Sequence, residues 1–193
     1  MSAWLVVGLG NPGDRYAATR HNVGARVVER LAERLGARLR KMRFNPLEAA
    51  DTRSGDRRLW LLRPLTWMNE SGPPVASFAK RRDVPPERVV VCHDEIDLAF
   101  GALKLKRGGS TAGHRGLESL VRALGSPEFH RVRLGVGRPP GRQQPADYVL
   151  EPFRKSEREE ADLLVEEGAD AVLTLVEQGL PVAQDRHNRV PRV

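Results

Sequence analysis

Trp4-Leu5-Val6-Val7 is a short apolar run closed by Gly8, the pattern of a buried β-strand. Val27, Val28, Leu31, Ala32 and Leu35 then recur at helical spacing, and Gly36 ends that helix. Arg58 to Leu62 reads as a second strand closed by Pro64, and Gly72-Pro73-Pro74 sets the start of a helix through Val75–Ala79. Arg88 to Cys92 is a further buried strand, and Ala102 to Lys106 a shorter alternating one. Leu117, Leu120, Val121 and Leu124 form a helical stripe between Gly116 and Gly125, and Val132 to Val136 is a strand before the loop Gly137–Gly141. From about Ser156 to Gln178, Ala161, Leu164, Val165, Ala169, Val172, Leu173 and Val176 predict one more helix, with an acidic outer face. Strands and helices alternate without repeat or linker. This pattern predicts one α/β domain over residues 1–180, a three-layer α/β/α arrangement around a twisted, mostly parallel (mixed) sheet. Residues 181–193, rich in Pro, Arg and Asn, are expected to be a flexible tail.

Composition narrows the class. With 40% hydrophobic residues among 193, the chain can fill a core, and disorder is excluded. No apolar stretch approaches the ~20 residues of a membrane-spanning helix, and Met1-Ser2-Ala3-Trp4 lacks the basic, apolar start of a secretory signal. A single cysteine forms no internal disulfide and no cysteine-built zinc site. A soluble protein of the cytoplasm is expected. The net charge of +7 is unevenly spread: residues 1–150 hold 26 basic and 15 acidic side chains, residues 151–193 hold 6 and 10. A basic body with an acidic C-terminal segment suggests a polyanion docking on one side.

Gly8-Leu9-Gly10-Asn11-Pro12-Gly13 matches a dinucleotide fingerprint in spacing but not in context. Pro12 biases Asn11 away from helical angles where the phosphate-binding helix would begin, and Glu33, the nearest candidate acid, falls inside a helix. The segment reads better as a rigid polar loop presenting the Asn11 amide, which disfavours a nicotinamide oxidoreductase. Arg20-His21-Asn22 precedes a helix in surroundings too polar for a core histidine. His93-Asp94-Glu95-Ile96-Asp97 follows a strand; its carboxylates could bind magnesium, form a solvated turn, or orient an imidazole elsewhere. Cys92, after three valines, reads as core rather than nucleophile. Thr66-Trp67-Met68-Asn69 offers an apolar surface beside an amide. Lys104 to Gly116 gathers cations and glycines ahead of a helix, a candidate phosphate site without P-loop order, which Arg131 and Arg133 could extend.

In order, these segments resemble the bacterial peptidyl-tRNA hydrolase family. The stretches are Val7–Gly13 with Tyr16, Arg20–Gly24, Pro64–Gly72, His93–Leu98, Gly113–Gly116 and Phe129–Pro139, covering about residues 4–178. The resemblance implies a monomeric, metal- and cofactor-independent α/β enzyme that hydrolyses the ester between peptide and tRNA in prematurely released peptidyl-tRNA. It assigns His21 as the base that activates water and Asp94 as the carboxylate that orients its ring. Asn11 and Asn69 position the peptide backbone and the water, while Tyr16, Met68 and His114 line the cleft. Lys106 and Arg133 grip tRNA phosphate. One position departs: the family often has Asn where this chain has Arg115. A catalytically silent relative that only binds RNA is the alternative, and intact Asn11, His21, Asn69 and Asp94 argue against it.

Overall fold

In this computed structural model the described residues are 3–191. The middle layer is a seven-stranded sheet made of β1 (Trp4–Gly8), β2 (Arg40–Lys41), β3 (Leu47–Ser54), β4 (Arg57–Pro64), β5 (Val89–Glu95), β6 (Leu103–Arg107) and β7 (His130–Gly135). Their order is β2-β3-β4-β1-β5-β7-β6. The central strands β4, β1, β5 and β7 run parallel, while β2, β3 and β6 pair antiparallel at the margins. β5 is buried at every residue, as a central strand covered on both faces must be.

The helices are α1 (Val23–Arg34), α2 (Gly72–Arg81), α3 (Arg115–Leu124), α4 (Pro145–Val149), α5 (Arg158–Gln178) and α6 (Leu180–His187). Strand alternation splits the core in two. Val6, Val90 and Val132 face α1 and α5 through Val27, Leu31, Leu164 and Val172. Leu5, Val7, Val89 and Val91 face α2 and α3 through Val75, Phe78, Leu117 and Leu120. This is the three-layer α/β/α arrangement.

One contact decides where the chemistry sits. A Cβ at Gly24 would lie 2.1 Å from the Cys92 carbonyl oxygen, so only glycine lets the start of α1 close onto β5. The 3₁₀ turn Arg20–Asn22 just before α1 is thereby held beside the carboxyl end of β5.

The structure departs from the sequence reading at both margins. β3 is an eight-residue strand that the pattern did not mark. Its Glu48, Asp51 and Arg53 mask any apolar run, and its pairing with β4 supplies the order. Past Gly179 the expected tail forms α6, with Ala183 fully buried. Gln184 donates to the Leu105 carbonyl, Asn188 accepts from the Leu105 N–H, and Arg189 exchanges two backbone hydrogen bonds with Leu103, so the segment caps the β6 edge. Residues 192–193 of that expected tail, and Met1 and Ser2, lie outside the described residues.

Most acids of α5 are partnered. Asp162, Glu166 and Asp170 meet Arg26, Arg30 and Arg34 of α1 at 2.5, 2.5 and 2.7 Å, an i, i+4 ladder between two helices. No helix among the described residues is long and apolar enough to cross a membrane.

Candidate active site

Asp94, near the end of β5, is 3% exposed and accepts two hydrogen bonds, one on each oxygen. His21 Nδ1 lies 2.8 Å from Oδ2, and His114 Nε2 lies 2.8 Å from Oδ1. The tautomers follow from the partners. His114 caps α3 by accepting the Leu117 N–H on Nδ1, so its proton is on Nε2, facing Asp94. His21 donates from Nδ1, which leaves Nε2 with a lone pair and no hydrogen bond from any described residue. The two imidazoles stand 5.2 Å apart on either side of the carboxylate.

Burial opposes charge on His21, but the charge of Asp94 and its hydrogen bond outweigh burial and raise the pKa above the usual 6.5. Burial alone would raise the Asp94 pKa; the two facing histidines overcome it and hold the carboxyl well below the usual carboxylate range. Asp94 is therefore an anion at any physiological pH. His93, behind the trio, is pushed down to about 3 by burial first and then by the neighbouring His114, and so stays neutral.

A cleft of about 680 Å³ opens over this trio. Asn11, His21, Met68, Asn69, Asp94 and His114 all line it. Asn11 leaves β1 in a loop. Its backbone is tied to Asn22 by two 2.9 Å hydrogen bonds, and its Oδ1 accepts the Met68 N–H at 2.8 Å. That bond fixes the amide orientation and leaves Nδ2 free to donate. Asn69, on the 3₁₀ turn Met68–Glu70, is exposed to the cleft. Tyr16 lies one layer out, packed edge-on at 5.7 Å against Trp67, which does line the cleft. Arg115, the first residue of α3, lines it too.

Lys106 and Arg133 stand apart from the cleft lining, on β6 and β7. Burial, then the neighbouring Arg133 and Arg131, lowers the Lys106 pKa. Arg133 is shared with Glu95 at 3.4 Å. Arg131 does not extend that surface: it is 1% exposed and donates to the carbonyls of Ser110 and Gly109, holding the loop ahead of α3 in place.

The acidic run does not converge on one ion. Glu95 pairs with Arg133, Asp97 with Arg138, and Asp94 with the histidines. Among the described residues the one set with metal-ligand spacing is His21, Asp94 and His114, whose ligand atoms lie within 4.8 Å of one another. His21 Nδ1, His114 Nε2 and both Asp94 oxygens are already hydrogen-bond partners within the trio. Cys92 is fully buried and its thiol is pushed far up by burial, so no thiolate forms. No helix starts at Pro12; the loop turns instead through residues 12–18.

Two features escaped sequence reading. The first is the His114–Asp94 bond, a pairing of residues 20 apart that only the fold reveals. The second is Arg20, 1% exposed, whose guanidinium lies 4.1 Å over the Tyr148 ring and 2.9 Å from Glu157. It fastens α4, a cleft wall, to the turn that carries His21, and no sequence signal marks it.

An uncharged-tautomer imidazole held by a buried carboxylate, open to a cleft lined with amides, is the equipment of a hydrolase that activates water. Residues 5–192 match the model of the peptidyl-tRNA hydrolase family, and the chain belongs to that family. It is 50% identical over 185 residues to the peptidyl-tRNA hydrolase of Frankia alni, covering 96% of this chain and 93% of that one. The enzyme of Mycobacteroides abscessus is 51% identical over 184 residues, covering 95% and 94%. Among solved structures, peptidyl-tRNA hydrolase from Acinetobacter baumannii superposes with a TM-score of 0.91 at 35% identity, covering 97% of this chain and 95% of that one. The chain is a peptidyl-tRNA hydrolase in activity, an enzyme of translation.

Proposed function

We propose that His21 is the general base of this hydrolysis and Asp94 its orienting carboxylate. The supporting observation is the 2.8 Å bond from His21 Nδ1 to a buried anion, which keeps Nε2 as an acceptor at the cleft. Water gives a proton to Nε2 as its oxygen attacks the ester carbonyl. The imidazolium so formed is stabilised by Asp94. The tetrahedral oxyanion then collapses, the bond to the ribose oxygen breaks, and that oxygen takes the proton from Nε2. The products are the peptide acid and a free tRNA 3′ hydroxyl, and the base is regenerated. Asn11 Nδ2 and the Asn69 amide donate to the peptide backbone and the developing oxyanion. Met68 and His114 shape the cleft, and Tyr16 acts on it through Trp67. His114 holds the second oxygen of Asp94, so Asp94 cannot rotate away from His21.

Lys106 and Arg133 bind tRNA phosphate away from the reacting ester. The enzyme acts as a monomer in the cytoplasm, and neither metal nor cofactor takes part in the steps above. The pH profile of kcat/KM tests this reading. The rate should rise with pH through one limb set above the usual 6.5, because only neutral His21 accepts a proton, and it should be unchanged by exhaustive chelation. Activity lost with chelator and restored by a divalent ion would recast His21, Asp94 and His114 as ligands.

A further inference from the structure

Several arginines of α1 and β4 are neutralised by carboxylates across the fold. Arg26, Arg30 and Arg34 are matched by α5, Arg58 by Asp51, and Arg63 by Glu29 and Glu48. Arg38, Arg40, Lys41 and Arg43 have no such partner, and they are clustered. These four exposed cations fall within six residues of the β2 hairpin, and no acidic side chain among the described residues pairs with any of them. The next residue, Phe44, is 82% exposed, more than any other large hydrophobic residue described. The Arg43 guanidinium lies 5.1 Å from the centre of its ring. The turn is not loose. Asn45 donates to the Pro74 carbonyl at 2.9 Å, and the Leu65 N–H donates to the Pro46 carbonyl at 2.8 Å.

Charges alone would suit a sheet margin that must not pair with another strand. An aromatic ring held out in water does not serve that purpose, and it costs solvation. Cations that track phosphates, beside a rigid ring on which a base can stack, are the two components of a single-stranded RNA platform.

We propose that the β2 hairpin binds a single-stranded RNA segment other than the substrate. The inference rests on the proposed phosphate clamp. β2 and β6 are opposite margins of the sheet, six strand spacings or roughly 29 Å apart. On that reading the acceptor arm is anchored at the β6–β7 margin with its 3′ end in the cleft, at the other margin from the hairpin. The platform therefore serves a second RNA, bound while the site is working.

The probe is a 12-nucleotide oligo(U), followed by fluorescence anisotropy across a salt series. Wild type should bind it with a salt slope near −0.7 per phosphate neutralised. Replacing Arg38, Arg40, Lys41 and Arg43 together by Gln should abolish this binding. Phe44→Ala should weaken it about 5- to 150-fold. Neither variant should change kcat/KM on peptidyl-tRNA, whereas Lys106→Ala with Arg133→Ala should leave oligo(U) binding intact. That last pair separates the hairpin from the clamp. Oligo(U) binding that survives the four substitutions overturns the proposal. So does a raised KM for peptidyl-tRNA in that variant, which would make the hairpin part of the substrate footprint. Binding to phosphatidylserine vesicles without binding to oligo(U) would assign the patch to a membrane surface instead.

Discussion

Replacing Asp94 by Asn changes one atom and tests the electrostatic heart of the site. The carboxylate accepts from His21 and His114 at 2.8 Å each. An asparagine there has one acceptor and one donor to divide between two N–H groups. His114 cannot give way, because its Nδ1 is committed to the Leu117 N–H and its proton stays on Nε2. The Asn oxygen therefore goes to His114, and the Asn N–H₂ faces His21 Nδ1. His21 must then carry its proton on Nε2, the nitrogen that should accept one from water. A positioned base contributes about 10²–10⁴ in rate, equal to roughly 2.7–5.4 kcal/mol of barrier. Asp94→Asn should lose most of that factor in single-turnover hydrolysis, with peptidyl-tRNA affinity little changed. Without the anion only burial acts on His21, so the acid limb of the residual rate should move to lower pH. A rate within tenfold of wild type and an acid limb at its original pH would refute the pairing.

Lys106→Ala with Arg133→Ala should weaken substrate capture and flatten the log–log salt slope by about one unit per lost phosphate contact, leaving the single-turnover rate at saturation nearly intact. Because Arg133 shares its charge with Glu95, Lys106→Ala alone should take the larger part, and an unchanged slope in the double variant would remove the clamp. Gly24→Ala should force α1 off β5. Overpacking of this kind costs about 1–3 kcal/mol, which lowers Tm by roughly 2–12 °C in a domain of this size, and an unaltered melting curve would contradict the close approach.

The strands β1 and β5 were legible because burial on both faces demands unbroken runs such as Val89-Val90-Val91. β3 and α6 were not, since Glu48, Asp51 and Arg53 in one and Pro181, Asp185 and Arg186 in the other carry no apolar period. Their order comes from partners far along the chain: β4 for β3, and the β6 edge for α6. In the site, His21, Asp94, Asn11 and Asn69 stood out as polar groups at the ends of apolar elements, where the carboxyl end of a parallel sheet collects chemistry. The bond from His114 to Asp94 and the seat of Arg20 under α4 depend on how the loops close, and neither has a local signature. Arg131 misled in the opposite sense: a cation on a strand looks like surface until its carbonyl partners are seen.

The central claim is that His21 Nε2 takes the proton from the attacking water. Single-turnover hydrolysis of peptidyl-tRNA by His21→Ala at saturating enzyme, with the fold checked by its melting curve and substrate affinity by titration, tests it most directly. The account predicts a folded protein that binds substrate normally and is slower by about 10²–10⁴. A folded His21→Ala protein that hydrolyses peptidyl-tRNA at near wild-type rate would place the base elsewhere.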